Sequence, residues 1–353
     1  MTPSPETMLW AAFAIGLVFG SVGQVSGFCL MSGLRGWWVE GKGLRIRAFA
    51  LALAIAIVGS QFLDASGTVR LAGSLYMQPV LPVPLLLIGG ALFGYGMVMA
   101  NGCGARSLVL LGSGNLRSVL VLLCLGIAAQ MTLTGLIAPW RAAGQSVLAL
   151  PAPVSPPTLT ALLGGWGLAE GLAHWFPVAI ISGGLAVFAF IHAPFRAAPI
   201  HILGGLIVGL LVIAGWYATG VLGADDFDPA PLASLTFIAP IGDTIQYLML
   251  ATGVRLSFGV AVVTGVVIGA AVTALATRTA RLQGFTRPGS MLRYMGGGAL
   301  MGIGGALALG CSVGQGLTGL STLAIGSFIA AAGVLAGAAL GLLGPLRLPA
   351  PQP

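Results

Sequence analysis

Three cysteines of this 353-residue chain sit beside glycine and close to polar side chains: Cys29 in SGFCLMSG, Cys103 in ANGCGARS and Cys311 in LGCSVGQG. A thiol is a weak hydrogen-bond donor and a weak, polarizable acceptor. It suits a soft, sulfur-bearing ligand and holds a hydrated cation poorly. As a thiolate it also attacks sulfane sulfur by exchange chemistry. No CxxC or CxxH spacing occurs, so a zinc or iron–sulfur site has little support. The fourth cysteine, Cys124, lies in VLVLLCLGI and reads as a small apolar packing residue.

Other groups near these thiols favour anions. Arg106 follows Cys103 by three residues, in or near an apolar segment. A charge there is expensive and faces a cavity, or else it snorkels to the membrane edge; the sequence leaves both open. The stretch GCSVGQG (310–316) places flexible backbone N–H groups at what reads as a helix start. Gly310, Ser312, Gly314, Gln315 and Gly316 are therefore candidates to hold an anion without a charged side chain. Asn101, Gly102 and Gly104 flank Cys103 as candidate supports. His174, His192 and His201 are isolated, and read as interfacial or structural. Glu170 and Asp243 read as capping or solvated acids. No Walker motif or catalytic triad is present, and no metal or cofactor site is expected.

The elements that position these residues are apolar. Hydrophobic residues make up 57% of the chain, charged residues 7%, and mean hydropathy is +1.02. A soluble domain carries about 25% charged residues, so the solvent of this chain is lipid. Apolar runs near 9–31, 48–63, 83–100, 118–138, 176–193, 199–222, 257–277, 294–309 and 323–344 each approach the ~20 residues that span a bilayer. The reading is an all-α integral membrane protein of about nine transmembrane helices, forming one polytopic domain over 1–353. The first run has no basic flank and reads as a retained span. Two further stretches, 155–171 and 237–253, are too short or too polar for ordinary spans and read as re-entrant.

Charge sets the orientation. Arg35, Lys42, Arg45 and Arg47 follow the first run, and Arg278, Arg281, Arg287 and Arg293 precede the last glycine-rich segment. Asp225, Asp226 and Asp228 share a loop without Lys or Arg. Positive loops face the cytoplasm, which places the N-terminus outside. The net charge of +7 serves lipid headgroups rather than nucleic acid.

GGALFGYGMVMANGC (89–103) lies over GGALMGIGGALALGC (297–311) without a gap. The chain thus reads as two repeats, 1–150 and 176–353, joined by a Pro/Ala-rich loop. The loops before the two GGAL segments differ in charge, so the repeats enter the membrane from opposite sides. Transporters built this way hold their sites near the midplane, at the repeat interface. A weaker match sets 16–29 over 205–217, which would put Trp216 or Tyr217 in the place of Cys29.

Together these pieces resemble the YeeE/YedE family of sulfur-compound transporters. The residues that carry the resemblance are SGFC at Cys29, ANGCGARSLVLLGSGNLRS (100–118), APIGDTIQYLM (239–249) and GCSVGQGLTGLSTLAIGS (310–327). The resemblance implies an hourglass of transmembrane and re-entrant helices in the bacterial inner membrane. It implies thiosulfate import, with Cys29, Cys103 and Cys311 passing the anion inward by transient S–H···S contacts and without enzymatic turnover. It also implies a small cytosolic sulfur-carrier protein of the TusA type as a partner of some members. A membrane sulfurtransferase and a carrier of another sulfur or selenium compound are the competing readings.

Overall fold

A computed structural model describes residues 5–165, 170–224, 230–285 and 288–347. Asp225, Asp226, Asp228, Arg287 and part of the stretch 155–171 lie outside the described residues. The described chain is helical, apart from two-residue strands β1 (Val80–Leu81) and β2 (Leu150–Pro151), which pair antiparallel.

One pattern of elements recurs: a long helix, a break, a short helix and a second long helix. First come α1 (Pro5–Ser26), α2 (Leu30–Trp38) and α3 (Leu44–Ala65). Then follow α4 (Val83–Met99), α5 (Gly104–Gly112) and α6 (Leu116–Leu133). The connecting region holds α7 (Ala138–Val147), α8 (Leu159–Gly165), α9 (Glu170–Phe190) and α10 (Ala193–Arg196). The pattern resumes with α11 (Pro199–Tyr217), whose end winds into a π-helical turn at Ala218–Leu222, then α12 (Ile238–Met249) and α13 (Phe258–Ala276). It closes with α14 (Pro288–Leu307), a π-helical turn at Gly314–Gly319 and α15 (Ile325–Leu342).

Eight helical stretches among the described residues are long and apolar enough to cross a membrane. The ninth run, 294–309, falls on α14, where Arg293, Tyr294 and a run of glycines dilute the hydropathy. The spanning helices are apolar on both faces. In α13 Val266, Ala270 and Ala274 are buried, while Ile268, Val272 and Leu275 are exposed. A helix apolar all round belongs in lipid or a buried core, and exposed apolar residues on this scale point to lipid. The 12-residue α12, in the stretch 237–253, reaches only about 18 Å at 1.5 Å per residue, short of the ~30 Å hydrocarbon core. It is too short to cross as an ordinary span.

Lipid offers no hydrophobic drive between helices, so close packing must hold them together. The glycines supply it. A Cβ on Gly16 or Gly20 of α1 would sit 2.2 or 2.1 Å from the Val262 or Val266 carbonyl of α13. On Gly90 and Gly94 of α4 it would sit 2.4 and 2.1 Å from the Ala330 and Val334 carbonyls of α15. Helix α11 packs on α3 through Gly205 and Gly209, and α14 packs on α6 through Gly298 and Gly302 and on α4 through Gly297 and Gly304, in the same manner.

A candidate sulfur path at the helix breaks

Each of the three glycine-flanked cysteines begins a short helical segment, two residues after a residue with positive φ. Gly27 (φ 64°) precedes Cys29, Asn101 (φ 57°) precedes Cys103 and Leu309 (φ 58°) precedes Cys311. Glycine adopts this left-handed conformation freely and asparagine tolerates it, whereas leucine carries about 1–2 kcal/mol of strain there. Helices α4 and α14 end alike. The Gly102 N–H donates to the Met97 carbonyl and the Gly310 N–H to the Gly305 carbonyl, both at 2.9 Å. These are the long-range bonds of a Schellman stop, with the left-handed residue just past the helix.

The chain then restarts at the cysteine. The carbonyls of Cys29, Cys103 and Cys311 accept from the amides of Gly33, Ser107 and Gln315 at 3.0, 2.9 and 2.7 Å. Cys29 and Cys103 are the N-caps of α2 and α5, and Cys311 stands two residues before Val313, the N-cap of the π-helical turn; the first amides of a helix lack intrahelical acceptors and carry partial positive charge. At Cys311 one of these closes on sulfur: the Gly314 N–H lies 3.2 Å from Sγ. The three side chains are almost sealed, at 3%, 2% and 1% exposure for Cys29, Cys103 and Cys311, and all are free thiols.

The thiols form a sequence in space. Cys29 and Cys103 stand within hydrogen-bonding reach of each other. Ser312, next to Cys311, is beside the Cys103 sulfur. Its buried hydroxyl makes no well-formed hydrogen bond, so it lies near that thiol without being spent on it. On the other side of Cys311 the backbone of Phe237 approaches its sulfur. A Cβ on Gly314 would meet Thr236 Oγ1 at 2.7 Å. Tyr76 also borders Cys311, and burial foremost, with that sulfur adding to it, pushes the Tyr76 phenol up.

Two cavities flank this sequence. One, of about 480 Å³, includes Leu222, Thr236, Asp243 and Ser257 in its wall. The other, of about 420 Å³, is lined by Ser32, Arg35, Glu40, Lys42, Arg45, Asn101 and His201. His201 and Leu222 mark opposite ends of the helical stretch 199–222, which is about 36 Å long. The cavities thus open at opposite faces, one past Thr236 toward Cys311, the other past Ser32 and Asn101 toward Cys29 and Cys103.

Arg106 lies among the thiols of Cys29 and Cys103 and the guanidinium of Arg45, and its Nη1 donates to the Gly23 carbonyl at 2.9 Å. The bond pins α5 to α1 and holds the guanidinium beside the two thiols. Asn101 accepts a short hydrogen bond from Arg35 Nη1. Gln315 donates from Nε2 to the Ala308 carbonyl at 2.6 Å, and its buried Oε1 has no partner. Gly102 packs on the Arg106 stem, Gly104 on Ile241 and Leu125, and Gly316 on Phe49.

Trp216 and Tyr217 lie at the end of α11, just before the π-helical turn. Trp216 is buried, but its Nε1 donates to Ser321 Oγ at 3.3 Å, and Tyr217 is 44% exposed. The π-helical turn at Ala218–Leu222 and the irregular segment after it delay the restart to α12, whose N-cap is Phe237. Sequence reading missed Arg35, Ser32 and Thr236, which are polar residues without a motif of their own. Cys124 is partly exposed on α6, against Gly298 of α14, as packing requires. Asp243 Oδ1 accepts from Gln130 Nε2 at 2.7 Å. Among the described residues no group of three or more His, Cys, Asp or Glu side chains gathers to hold a metal.

A family model for sulphur transport matches residues 25–340, a range that holds all three breaks and all three thiols. The chain belongs to the sulphur-transport family. The membership expected from the GCG and GCSVGQG motifs is thereby met, and the chain is a multi-pass membrane protein of that family. It is similar to a protein of Spirochaeta thermophila named thiosulfate transporter TsuA, with 26% identity over 344 residues, 92% of this chain and 94% of the relative. It is similar to a protein of the same name from Escherichia coli, with 25% identity over 325 residues, 88% of this chain and 87% of the relative.

Proposed function

We propose that this sulphur-transport protein imports thiosulfate across the bacterial inner membrane, with its N-terminus on the periplasmic side. The anion passes Cys311, Cys103 and Cys29 in that order, handed on by transient S–H···S contacts to its terminal sulfur. The observation that carries this reading is the sequence of three sealed thiols, each at the start of a short helix, between two cavities at opposite faces. Two relatives of nearly the same length are named for thiosulfate transport.

The chemistry fits a soft dianion. Burying a charge is costly unless hydrogen bonds or opposite charges offset it. Here the unpaired helix-start amides and Arg106 supply that offset, while the thiols meet the polarizable sulfur. None of these partners is a carboxylate that would repel the substrate. The two halves, 1–150 and 176–353, act as inverted repeats that bring the breaks together at the bilayer midplane. Gly310, Ser312, Gly314 and Gln315 line or shape the outer part of the path, and Asn101, Gly102 and Gly104 the inner part. A sulfur-carrier protein of the TusA type is the expected acceptor partner on the basic face.

Transport without turnover is testable against a covalent route. In that route a Cys29, Cys103 or Cys311 thiolate attacks the sulfane sulfur of thiosulfate. The S–S bond of thiosulfate breaks, sulfite leaves with its electron pair, and a cysteine persulfide remains. Incubating purified protein with thiosulfate and weighing the intact chain distinguishes the two. Transport by contact leaves the mass unchanged while uptake proceeds. A gain of one sulfur atom with release of sulfite means a sulfurtransferase.

A further inference from the structure

The proposed path ends at Cys29 and Cys103, and a dianion leaving this pair needs a counter-charge to move toward. Arg106 lies at that point, but its Nη1 is committed to the Gly23 carbonyl. The next cation is Arg35. It sits on α2, partly buried, in the wall of the 420 Å³ cavity. Its Nη1 donates to Asn101 Oδ1, a residue of the break that precedes Cys103. The bond therefore ties α2, which Cys29 caps, to the break that precedes Cys103.

The partner is what makes this bond informative. Asn101 offers a neutral amide oxygen. Hydrogen bonds between a guanidinium and an anionic oxygen are roughly twice as strong as neutral ones, and they are frequently bidentate. An oxyanion that reaches the pair can displace the amide, whereas a carboxylate at position 101 would have resisted. The surroundings favour an anion as well. Lys42, Arg45 and His201 share the cavity wall, and Arg293 and Tyr294 of α14 act on Arg35 from the side. Glu40 is the one acid among the described residues of that wall. It sits at the exposed loop end, in reach of the Arg35 field.

We propose that this cavity is a second anion site, selective for tetrahedral oxyanions, in which Arg35 exchanges the Asn101 amide for an oxygen of the substrate. It rests on the transport reading in the sense that the thiosulfate sulfonate face is its intended occupant. Its binding chemistry stands independently. The oxyanion end is taken by Arg35 while the sulfur end is still held by the thiols, so the substrate turns from a sulfur-led to an oxygen-led grip as it leaves. Asn101 and Arg35 re-form their bond behind it.

The test uses the full chain carrying Cys124→Ser and Leu44→Cys, which places a reporter thiol in the cavity wall without changing its charge. The rate at which a neutral maleimide modifies that thiol is read by peptide mass spectrometry. Sulfate is the oxyanion probe, with chloride at matched ionic strength as control. Sulfate should slow modification and chloride should not. Arg35→Gln should weaken the protection about tenfold, as loss of one charge-assisted bond implies, and Arg35→Lys should keep part of it. A second readout is thiosulfate transport. Arg35→Gln should lower the maximal rate per folded protein and leave KM on the uptake side unchanged; normalising to folded protein, with Arg35→Lys restoring part of the rate, separates this from a loss of active molecules by misfolding. Sulfate without effect on modification, or protection that survives Arg35→Gln in full, overturns the site. Protection that depends on Arg35 in a protein that moves no thiosulfate upholds the site and overturns the transport reading instead.

Discussion

Asn101 and Leu309 hold the same left-handed backbone, at φ 57° and 58°, and each stands two residues before a buried cysteine, Cys103 and Cys311. The bond that stops the helix is also the same in both places, 2.9 Å from the glycine that follows to a carbonyl five residues back. Only one of the two side chains suits the conformation. Leu309 therefore stores about 1–2 kcal/mol of strain beside Cys311, where backbone strain at a functional site is an established pattern. Leu309→Asn, which installs the residue found at position 101, should leave the thermal midpoint of the purified protein unchanged or higher. Leu309→Val, with a branched Cβ at positive φ, should lower it. If both variants behave alike, backbone strain does not govern this position.

Gly27 completes the set at φ 64°, and a Cβ there would also lie 3.3 Å from Arg45 Nη2. Gly27→Ala should destabilise the protein by roughly 1–2 kcal/mol through the backbone alone. It should also lower thiosulfate uptake by more than the loss of folded protein, because the Cys29 thiol shifts with the break. Uptake normalised to folded protein, measured beside the midpoint, checks this.

Packing gives a cleaner stability contrast. Gly20→Ala and Gly94→Ala each drive a methyl group to 2.1 Å from a carbonyl oxygen of the neighbouring helix. Separating those backbones should cost about 1–3 kcal/mol and reduce the amount of protein recovered from membranes. Gly183→Ala on α9, where nothing lies within 4 Å, should be neutral or slightly stabilising. Equal losses in all three variants would count against glycine-mediated close packing.

The Ser312 hydroxyl is buried, lacks a well-formed bond and stands between Cys311 and Cys103. Removing a buried hydroxyl without a partner costs the fold little and can stabilise it. Ser312→Ala should therefore keep or raise the thermal midpoint, yet lower thiosulfate uptake about tenfold, the factor that corresponds to one lost substrate hydrogen bond. A fall in stability without a fall in normalised uptake would make Ser312 a packing residue.

Much of this architecture was legible in the sequence for simple reasons. Lipid imposes apolar composition over whole helices, so the spans on α3, α11, α13 and α15 could be read directly. The paired GGAL segments announced α4 and α14, because helix contacts at carbonyl distance admit only glycine. The thiols stood out because glycine flanked them, and the glycines are there to stop one helix and start the next. What could not be read is equally physical. The π-helical turn at Ala218–Leu222 and the segment after it delay the next helix to α12, whose N-cap is Phe237, and no local residue pattern marks such a turn. The Arg35–Asn101 bond joins two breaks far apart in the chain, and each residue alone reads as an ordinary loop or edge residue.

The most direct test of the thiol path is uptake of radiolabelled thiosulfate into cells that lack other importers, comparing wild type with Cys29→Ser, Cys103→Ser, Cys311→Ser and Cys124→Ser. The path predicts that the first three changes abolish or severely reduce uptake at normal protein levels, while Cys124→Ser retains it. Uptake that persists in all four variants would contradict the path and shift the site to Arg106 and the glycine-rich backbone.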